Sequence, residues 1–503
     1  MPHASLTIDP SFVVGAVDRR LFGSFVEHLG RAVYDGIYEP AHATADEDGF
    51  RKDVIELVRE LGVSTVRYPG GNFVSGYRWE DGVGPRAQRP RRLDLAWHSL
   101  ETNEIGLDEF ARWSARAGTE LMLAVNLGTR GVQEALDLLE YANVRSGSTL
   151  SDLRVANGTP DPHGVVLWCL GNEMDGPWQL GHRSADDYGK LAAQTARAMR
   201  QLDPGVRLIA CGSSNRQMPT FGAWERTVLE HAYDEIDYLS CHAYYHETPG
   251  DLGGFLASPV DMDRFIESVA ATIDHVRALR PGRRRVDISF DEWNVWYVDR
   301  YHDEDKVTDP QVWPVAPRLL EDSYTVADAV VVGGLLMSLL RHADRVTAAS
   351  MAQLVNVIAP IMTEPGGPSW RQTTFFPFAV TSRLARGVTL SVDVSSPTYP
   401  TAALGDVPLV DAVATHDAAA GATSVFLVNR SVDAPATVSV DVRSLGASSV
   451  AEAVTLWDDD PHARNTLDHP TRVALRPTPV AGLNDGALRV ELPPVSWTAV
   501  SLR

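Results

Sequence analysis

The chain has few cysteines, with only Cys169, Cys211 and Cys241 among 503 residues. Each lies in an apolar run, and no two of them have the Cys-x-x-Cys spacing of metal or redox sites. A disulfide framework and a cysteine-based metal site are therefore not indicated. We expect all three to be reduced residues of a hydrophobic core.

Basic residues and long hydrophobic runs are also scarce. Lys and Arg total 45 against 66 Asp and Glu, which gives a net charge of −21. This balance argues against nucleic acid or an anionic membrane as a partner. No run approaches the ~20 apolar residues that cross a bilayer, and residues 1–8 do not resemble a secretory signal. We expect a cytoplasmic protein with a neutral ligand such as a sugar.

Between residues 21 and 386, β-type apolar runs alternate with segments that have helical spacing. This alternation is typical of parallel βα units. Eight such units predict an α/β fold, a (β/α)8 TIM barrel over residues 21–386, with its last helix at Trp370–Leu384. The candidate strands are Leu21–Val26, Val63–Tyr68, Leu121–Leu127, Val165–Leu170, Arg207–Cys211, Ile236–Cys241, Val286–Phe290 and Val346–Met351.

After Gly387 the pattern changes to short strands separated by Gly, Pro, Asp and Asn. It predicts a C-terminal antiparallel β-sandwich domain over residues 387–503. Residues 1–20 form an N-terminal segment whose alternating stretch, Ala4–Val17, we expect to pair with that sandwich. The candidate sandwich strands are Val388–Val394, Val407–Ala414, Ser424–Val428, Thr437–Val442, Ala451–Trp457, Val473–Leu475 and Leu488–Val500.

Two of the predicted barrel strands are followed by a glutamate. Glu173 follows the fourth strand in Gly171-Asn172-Glu173, and Glu292 follows the seventh in Asp291-Glu292-Trp293. Catalytic groups of (β/α)8 barrels project from the carboxyl ends of the strands. A glycosidase needs two carboxyl groups, one to protonate the leaving oxygen and one to attack the sugar carbon. With no metal-ligand motif and no cofactor indicated, the pair predicts a retaining double displacement.

Other strand ends carry further polar side chains, and a ligand or an internal network must satisfy them. Glu27 and Arg67 fit either an ion pair that closes the barrel top or a sugar contact. We expect His242 to be a hydrogen-bond partner rather than a metal ligand or base. Tryptophans in the connections either stack on sugar faces or anchor their loops. The polar candidates are Glu27, Arg67, Asn72, Asn172, His242, Tyr244 and Gln353, and the aromatic ones are Trp97, Trp178, Trp296 and Trp313.

These residues lie in segments that resemble the α-L-arabinofuranosidases of glycoside hydrolase family 51. The matching segments are Phe22–Gly30, Val66–Phe73, Glu101–Gly106, Gly171–Trp178, Asp291–Trp296 and Gln353–Ile361. The resemblance implies that Glu173 is the acid/base and Glu292 the nucleophile. It also implies that Arg67 supports the nucleophile and that the arabinofuranosyl ring is held by Glu27, Asn72, Asn172, Tyr244 and Gln353.

The resemblance implies an exo-acting enzyme that releases terminal α-L-arabinofuranosyl residues from arabinan or arabinoxylan oligosaccharides. It further implies a homo-oligomer, often a hexamer. Two alternatives stay open. The first is another retaining glycosidase on the same barrel, such as a xylosidase or an endoglucanase. The second is a non-catalytic sugar-binding protein. The preferred linkage and the role of the long segment 297–317 are not set by the sequence.

Overall fold

The computed structural model describes residues 2–280, 282, 285–483 and 486–503. Eight parallel strands close into a barrel in chain order, since the last strand pairs with the first through Ser350 and Gly23. Elements are numbered along the whole chain. The barrel strands are β2 (Gly23–Phe25), β3 (Thr65–Tyr68), β6 (Glu120–Val125), β7 (Leu167–Leu170), β8 (Arg207–Ala210), β9 (Tyr238–Tyr245), β10 (Asp287–Val295) and β11 (Val346–Met351).

Helices follow the barrel strands and cover the outside of the barrel. They are α1 (Lys52–Leu61), α2 (Leu107–Ala117), α3 (Val132–Asn143), α4 (Thr149–Ala156), α5 (Ala185–Leu202), α6 (Ala223–Ala232), α7 (Leu252–Leu256), α8 (Ser258–Ala278), α9 (Val298–Arg300), α10 (Val326–Arg341) and α11 (Phe375–Leu384). No helix in the described ranges has the combination of length and apolarity needed to cross a bilayer.

Helix α10 lies between the barrel and the C-terminal sheet. Its sequence is apolar around the whole circumference, which is typical of a helix buried on every side. Every residue from Val326 to Leu340 is buried, and Trp497 of the sheet packs so closely on Gly333 that a Cβ there would lie 2.2 Å from the indole ring. The Thr325 side chain caps the helix by accepting from the Asp328 amide.

The C-terminal part forms one ten-stranded sheet that also contains the N-terminal strand. Its order is β21-β20-β24-β18-β17-β14-β1-β19-β23-β22. Buried side chains from both halves of the sheet form a single apolar cluster, so the sheet packs on itself as a sandwich. Its strands are β1 (His3–Ala16), β14 (Val388–Ser395), β17 (Val410–Asp417), β18 (Ala422–Asn429), β19 (Ala436–Asp441), β20 (Val450–Leu456), β21 (Arg476–Pro477), β22 (Val480–Ala481), β23 (Ala487–Leu492) and β24 (Ser496–Leu502).

In the described part of the chain, three two-stranded hairpins complete the architecture. They are β4 (Arg92–Asp94) with β5 (Ser99–Glu101), β12 (Ile361–Thr363) with β13 (Ser369–Arg371), and β15 (Thr398–Thr401) with β16 (Gly405–Pro408). The first lies in the connection after β3, and the third is part of the C-terminal region.

The predicted fold class, a TIM barrel with a C-terminal β-sandwich, is confirmed. Several element predictions are wrong in detail. Residues 473–475 are not a strand, residues 370–371 belong to β13 rather than to the helix, and the segments 407–414 and 488–500 are each divided between two strands. The sheet is not wholly antiparallel, because β1 pairs in parallel with β19. The domain boundaries at 20/21 and 386/387 stay predictions.

Candidate active site

The carboxyl ends of the barrel strands bring the predicted polar residues to one rim. Arg67 lies in β3, His242 and Tyr244 in β9, and Glu292 in β10, while Glu173 lies three residues beyond the end of β7. The pairing of β10 with β9 shifts register between Ser289 and Glu292. Such a bulge re-aims side chains, so the usual alternation of faces does not hold at this point of β10.

The two glutamates lie close together at the rim. One carboxylate oxygen of Glu173, one of Glu292 and a ring nitrogen of His242 all lie within 4.8 Å of one another. Both glutamates are buried, with Glu173 9% and Glu292 4% exposed. This spacing is close to the roughly 5 Å that separates the carboxyl groups of retaining glycosidases and is shorter than the ~6.5–9.5 Å of inverting enzymes.

Both oxygens of Glu292 accept hydrogen bonds from fixed donors. Arg67 donates to Oε1 at 2.8 Å, and the Tyr244 hydroxyl donates to Oε2 at 2.8 Å. Burial raises the pKa of Glu292 above its usual range, while His242 and Arg67 oppose the shift. The two donors orient this carboxyl, and the charge of Arg67 favours its ionised form.

Glu173 has different neighbours from Glu292. Its Oε2 accepts from the indole N–H of Trp178 at 2.6 Å, and its Oε1 lies 2.9 Å from Nδ1 of His242. The backbone of Glu173 has φ +42°, in the left-handed region that residues other than glycine seldom adopt. A backbone in this region costs of order 1 kcal/mol and is commonly kept where it aims a functional side chain.

His242 connects Glu173 to Asp291, a residue missing from the predicted site. Its Nε2 lies 3.0 Å from Oδ1 of Asp291, so both ring nitrogens face carboxylates. Burial lowers the pKa of His242, but Glu292, Asp291 and Glu173 outweigh this and raise it to about 10. The carboxyl groups at both ring nitrogens therefore favour the charged form of the ring. A signal for Asp291 existed in the adjacent Asp291-Glu292 pair, but strand alternation placed Asp291 on the opposite face.

Glu27 is held by three other residues of the rim. Its Oε1 accepts from the Trp97 indole at 2.6 Å and from the Phe73 amide at 2.8 Å, and its Oε2 accepts from Gln353 at 3.2 Å. Burial raises the pKa of Glu27 to about 8. A Cβ at Gly71 would lie 2.1 Å from Oε2 of Glu27, so only glycine lets the loop pass this close.

The suggested ion pair between Glu27 and Arg67 is wrong. Within the described residues, Arg67 contacts Glu292, the Asn172 side chain at 2.6 Å and, at 3.9 Å, Asp291. Glu27 instead belongs to the Trp97 and Gln353 side of the rim. The polar rim therefore contains two adjoining networks, one around Glu292 and one around Glu27.

The remaining predicted residues border these two networks to different degrees. Asn172 is buried against Arg67, and Asn72 is half-buried at the start of a 3-10 turn. Trp296 is half-buried and meets the Tyr244 ring edge to face, with centroids 5.1 Å apart. Trp178 is 49% exposed, which leaves much of its ring open. Trp313 stacks on His98 at 3.8 Å, and this contact fixes its loop.

The Glu173, His242 and Glu292 group has the spacing of a metal site, but its chemistry does not suit a cation. Both nitrogens of His242 are already paired with carboxylates, so neither is free to bind a metal. The charges of Arg67 and the His242 ring already balance two of the three neighbouring carboxylates. What the group can do is transfer protons and supply a nucleophile beside a neutral ligand.

Comparison with known proteins matches almost the whole chain. Residues 57–251 match the α-L-arabinofuranosidase 1 domain, and residues 291–496 match the α-L-arabinofuranosidase C-terminal domain. An exo-α-(1→6)-L-arabinofuranosidase of Bifidobacterium longum is 58% identical and covers 100% of this chain and 98% of the relative. An intracellular exo-α-(1→5)-L-arabinofuranosidase of Streptomyces lividans is 58% identical, over 99% of this chain and 75% of the relative.

Solved structures agree with the sequence comparison. A family 51 α-L-arabinofuranosidase from Bifidobacterium longum superposes with a TM-score of 0.96 at 51% identity, over 100% of both chains. A thermostable family 51 enzyme from Thermotoga petrophila superposes with a TM-score of 0.89 at 33% identity, over 99% of this chain and 100% of the other. The chain therefore belongs to the α-L-arabinofuranosidases of glycoside hydrolase family 51.

Proposed function

We propose that the chain is an exo-acting α-L-arabinofuranosidase that releases terminal non-reducing α-L-arabinofuranosyl residues with retention of configuration. The observation that carries this proposal is the Glu173 and Glu292 pair, whose nearest oxygens lie within 4.8 Å at the barrel rim. Membership of the family agrees with it. In this proposal Glu292 is the nucleophile and Glu173 is the acid and then the base.

In the first step, Glu292 attacks the anomeric carbon and forms a glycosyl ester as the bond to the leaving oxygen breaks. Arg67 and Tyr244 keep the attacking carboxylate oriented through both of its oxygens. Glu173 gives its proton to the leaving oxygen, so the aglycone departs as a neutral alcohol. His242 and Trp178 hold the Glu173 carboxyl in place during this transfer.

In the second step, Glu173 acts as the base. It removes a proton from water, whose oxygen attacks the anomeric carbon and displaces Glu292 as a carboxylate. Esterified Glu292 carries no charge, so the repulsion that it exerts on Glu173 in the free enzyme is absent at this stage. Two inversions at one carbon give net retention.

The other rim residues hold the sugar ring in this proposal. Burial raises the pKa of Glu27 to about 8, so the carboxyl is mostly protonated at neutral pH and has a proton to donate to a sugar hydroxyl. Asn72, Asn172 and Gln353 supply further hydrogen bonds. Trp97 and Trp296 supply apolar surface for the carbon face of the ring. His242 acts on Glu173 and Asp291 rather than on the sugar, since both of its nitrogens face carboxylates.

The activity is tested with a set of nitrophenyl glycosides. We expect release of nitrophenol from the α-L-arabinofuranoside and none from the xyloside or glucoside, and the first-formed arabinose should be the α anomer by NMR. Glu292→Ala is the control for contaminating activity. Release from the xyloside or glucoside instead would favour the other retaining glycosidases, and binding without turnover would favour a sugar-binding protein.

Linkage preference, location and assembly complete the proposal. The relatives described above are named for (1→6) and (1→5) linkages, and a product profile on arabinan and arabinoxylan oligosaccharides would determine the linkage preference of this chain.

We propose a cytoplasmic homo-oligomer, a hexamer being the first form to test by light scattering. Two relatives named intracellular and three buried free cysteines support the location.

A further inference from the structure

Asp94 ends β4 and begins the turn that presents Trp97 to the rim. Strand β4 pairs with β5 as far as Asp94 and Ser99, which leaves residues 95–98 as the turn. Within it, the Ala96 amide donates to Oδ1 of Asp94 at 3.1 Å, and the Trp97 amide donates to Oδ2 at 3.0 Å. Aspartate commonly closes a turn by accepting from the amides that follow it. One carboxyl group therefore fixes the path of the backbone that carries Trp97.

The Trp97 side chain passes this geometry on to Glu27. Its indole N–H donates to Oε1 of Glu27 at 2.6 Å, and Trp97 is 8% exposed. In the proposed function, Glu27 and Trp97 both contact the sugar ring. A shift of the Trp97 backbone would move the aromatic surface and take a donor away from Glu27. Asp94 acts on the ring only through Trp97, because both of its oxygens accept from amides of the turn.

The Asp94 carboxyl is buried without an ion pair. It is 7% exposed, and no Lys, Arg or His side chain of the described residues lies within ion-pair distance of it. Burial of a charged carboxyl is costly, and hydrogen bonds to the charged form offset that cost. Among the described residues, no other group accepts from the two turn amides. The charged carboxyl and the two amides therefore hold each other in place.

The charge of Asp94 changes between about pH 5 and pH 7. Burial raises its pKa to about 6, and the two turn amides oppose this rise. Of the titratable groups that face it, Glu101 on β5 also raises this pKa, and His28 in the segment after β2 lowers it. Besides burial, the charge of Asp94 raises the pKa of Glu27 and that of Tyr301. A protonated carboxyl keeps one carbonyl oxygen as a good acceptor, so one of the two amide bonds weakens as the pH falls through 6.

We infer that Asp94 is a positioning residue of the sugar-binding site and that its charged form sets Trp97 against Glu27. This inference rests on the proposed arabinofuranosidase activity and deepens it, because it names the group that holds one wall of the ring site. Asp94 takes no part in the chemical steps. Binding of the sugar ring therefore weakens when Asp94 takes up a proton, while the rate of the chemical steps on bound substrate changes little.

The test compares Asp94→Asn with the wild type on nitrophenyl arabinofuranoside at two pH values. Asn has the shape of a protonated Asp, accepts through one oxygen and carries no charge. At about pH 7.5, we expect KM to rise roughly three- to tenfold, with kcat within about twofold. At about pH 5 the wild-type carboxyl is itself mostly protonated, so the ratio of the two KM values should fall towards one. Leu95→Ala, 65% exposed in the same turn, is the matched control and should leave KM unchanged.

A double-mutant cycle with Trp97→Phe tests the route of the effect. Phe keeps an aromatic ring but lacks the N–H that binds Glu27, so Trp97→Phe should itself raise KM. If Asp94 acts through Trp97, adding Asp94→Asn to this variant should raise KM further by less than about twofold. Effects that multiply in full would mean that Asp94 acts independently of Trp97, and they would overturn the inference.

The pH dependence supplies the second criterion. An unchanged KM in Asp94→Asn, or a KM ratio that is the same at both pH values, would also overturn the inference. Asp94→Ser keeps a shorter acceptor at the same place, and its KM ratio decides the matter by the same criterion if Asp94→Asn does not fold. Failure of the wild-type enzyme to release nitrophenol from the arabinofuranoside would instead reject the proposed function, so the two failures are distinct.

Discussion

Single side chains give Glu173 and Glu292 different tasks. Glu292 accepts from the Arg67 guanidinium and the Tyr244 hydroxyl, whereas Glu173 contacts the Trp178 indole N–H and the His242 ring. The indole of Trp178 is half exposed and donates to Glu173, the proton donor of the proposed mechanism. Substitutions of these side chains therefore test which glutamate is the acid and which is the nucleophile.

Glu173→Ala should separate substrates by their leaving groups. A nitrophenolate departs without protonation, so the first step should survive with an aryl arabinofuranoside. An arabino-oligosaccharide should lose the ~10²–10⁴-fold that general acid catalysis supplies. Deglycosylation then limits turnover of the aryl substrate, and stopped-flow measurements should show a burst with a low KM. Equal losses on both substrates would place the proton donor elsewhere.

His242→Gln should remove a pH-dependent part of the stability. The folded-state pKa of His242 is about 10, raised above the usual histidine value, so its contribution is complete below about pH 6.5. It is lost as the pH rises towards 10, because the imidazolium then loses its proton. The difference in unfolding free energy between wild type and variant, measured by urea denaturation, should therefore shrink from pH 6.5 to 10. A constant difference would mean that the ring is neutral.

The short helical segment after β10 supports one side of the rim. The segment after β10 forms α9 and a π-helical turn at Tyr301–Asp305. From there the Tyr301 ring meets the Trp97 ring edge to face, with centroids 5.7 Å apart. Trp97 in turn donates to Glu27. The long loop that follows the seventh barrel strand thus supports a predicted sugar-binding residue from outside the barrel.

Tyr301→Ala should weaken substrate binding more than turnover. An edge-to-face pair contributes ~0.5–1.5 kcal/mol, so KM for nitrophenyl arabinofuranoside should rise roughly two- to tenfold while kcat changes less. Asp303→Ala, at an exposed position of the same turn, is the matched control. Steady-state kinetics on both variants would measure this, and an unchanged KM in Tyr301→Ala would show that the loop does not support Trp97.

The elements also show what the sequence could predict. The eight barrel strands were predictable because each is an apolar run with a helical segment after it, and polar residues at their ends marked the rim. The bulge in β10 could not be predicted, since it depends on pairing with β9, which is distant in the chain. Asp291 was missed for this reason. The hairpin β15–β16 was missed because its turn, residues 402–404, lies between two candidate strands in a segment with no assigned structure.

At the scale of the whole molecule, β1 joins the two ends of the chain. It lies between β14 and β19, so six strands of the ten-stranded sheet are on one side of it and three on the other. Its alternate residues Ala4, Leu6 and Ile8 are buried in the sandwich core. The sheet is therefore continuous only when the N-terminal strand is in place.

Leu6→Asp should destabilise the protein through this sheet. The side chain is 1% exposed, and burying an unpaired carboxylate there costs several kcal/mol. We expect the melting temperature, measured by calorimetry, to fall by several degrees. Ser5→Asp, at an exposed position of the same strand, should leave it nearly unchanged. Similar melting temperatures for the two variants would mean that β1 adds little to the sandwich.

The central place of β1 also sets an order of events during synthesis. Ser5 pairs with Ser395 and with Ser439, so β1 leaves the ribosome long before either of its partner strands. The barrel can form while translation continues, but the sheet cannot. A chain that stops early would keep an open strand edge, which promotes aggregation. We expect prematurely terminated chains to be bound by chaperones and degraded, although their catalytic barrel is complete.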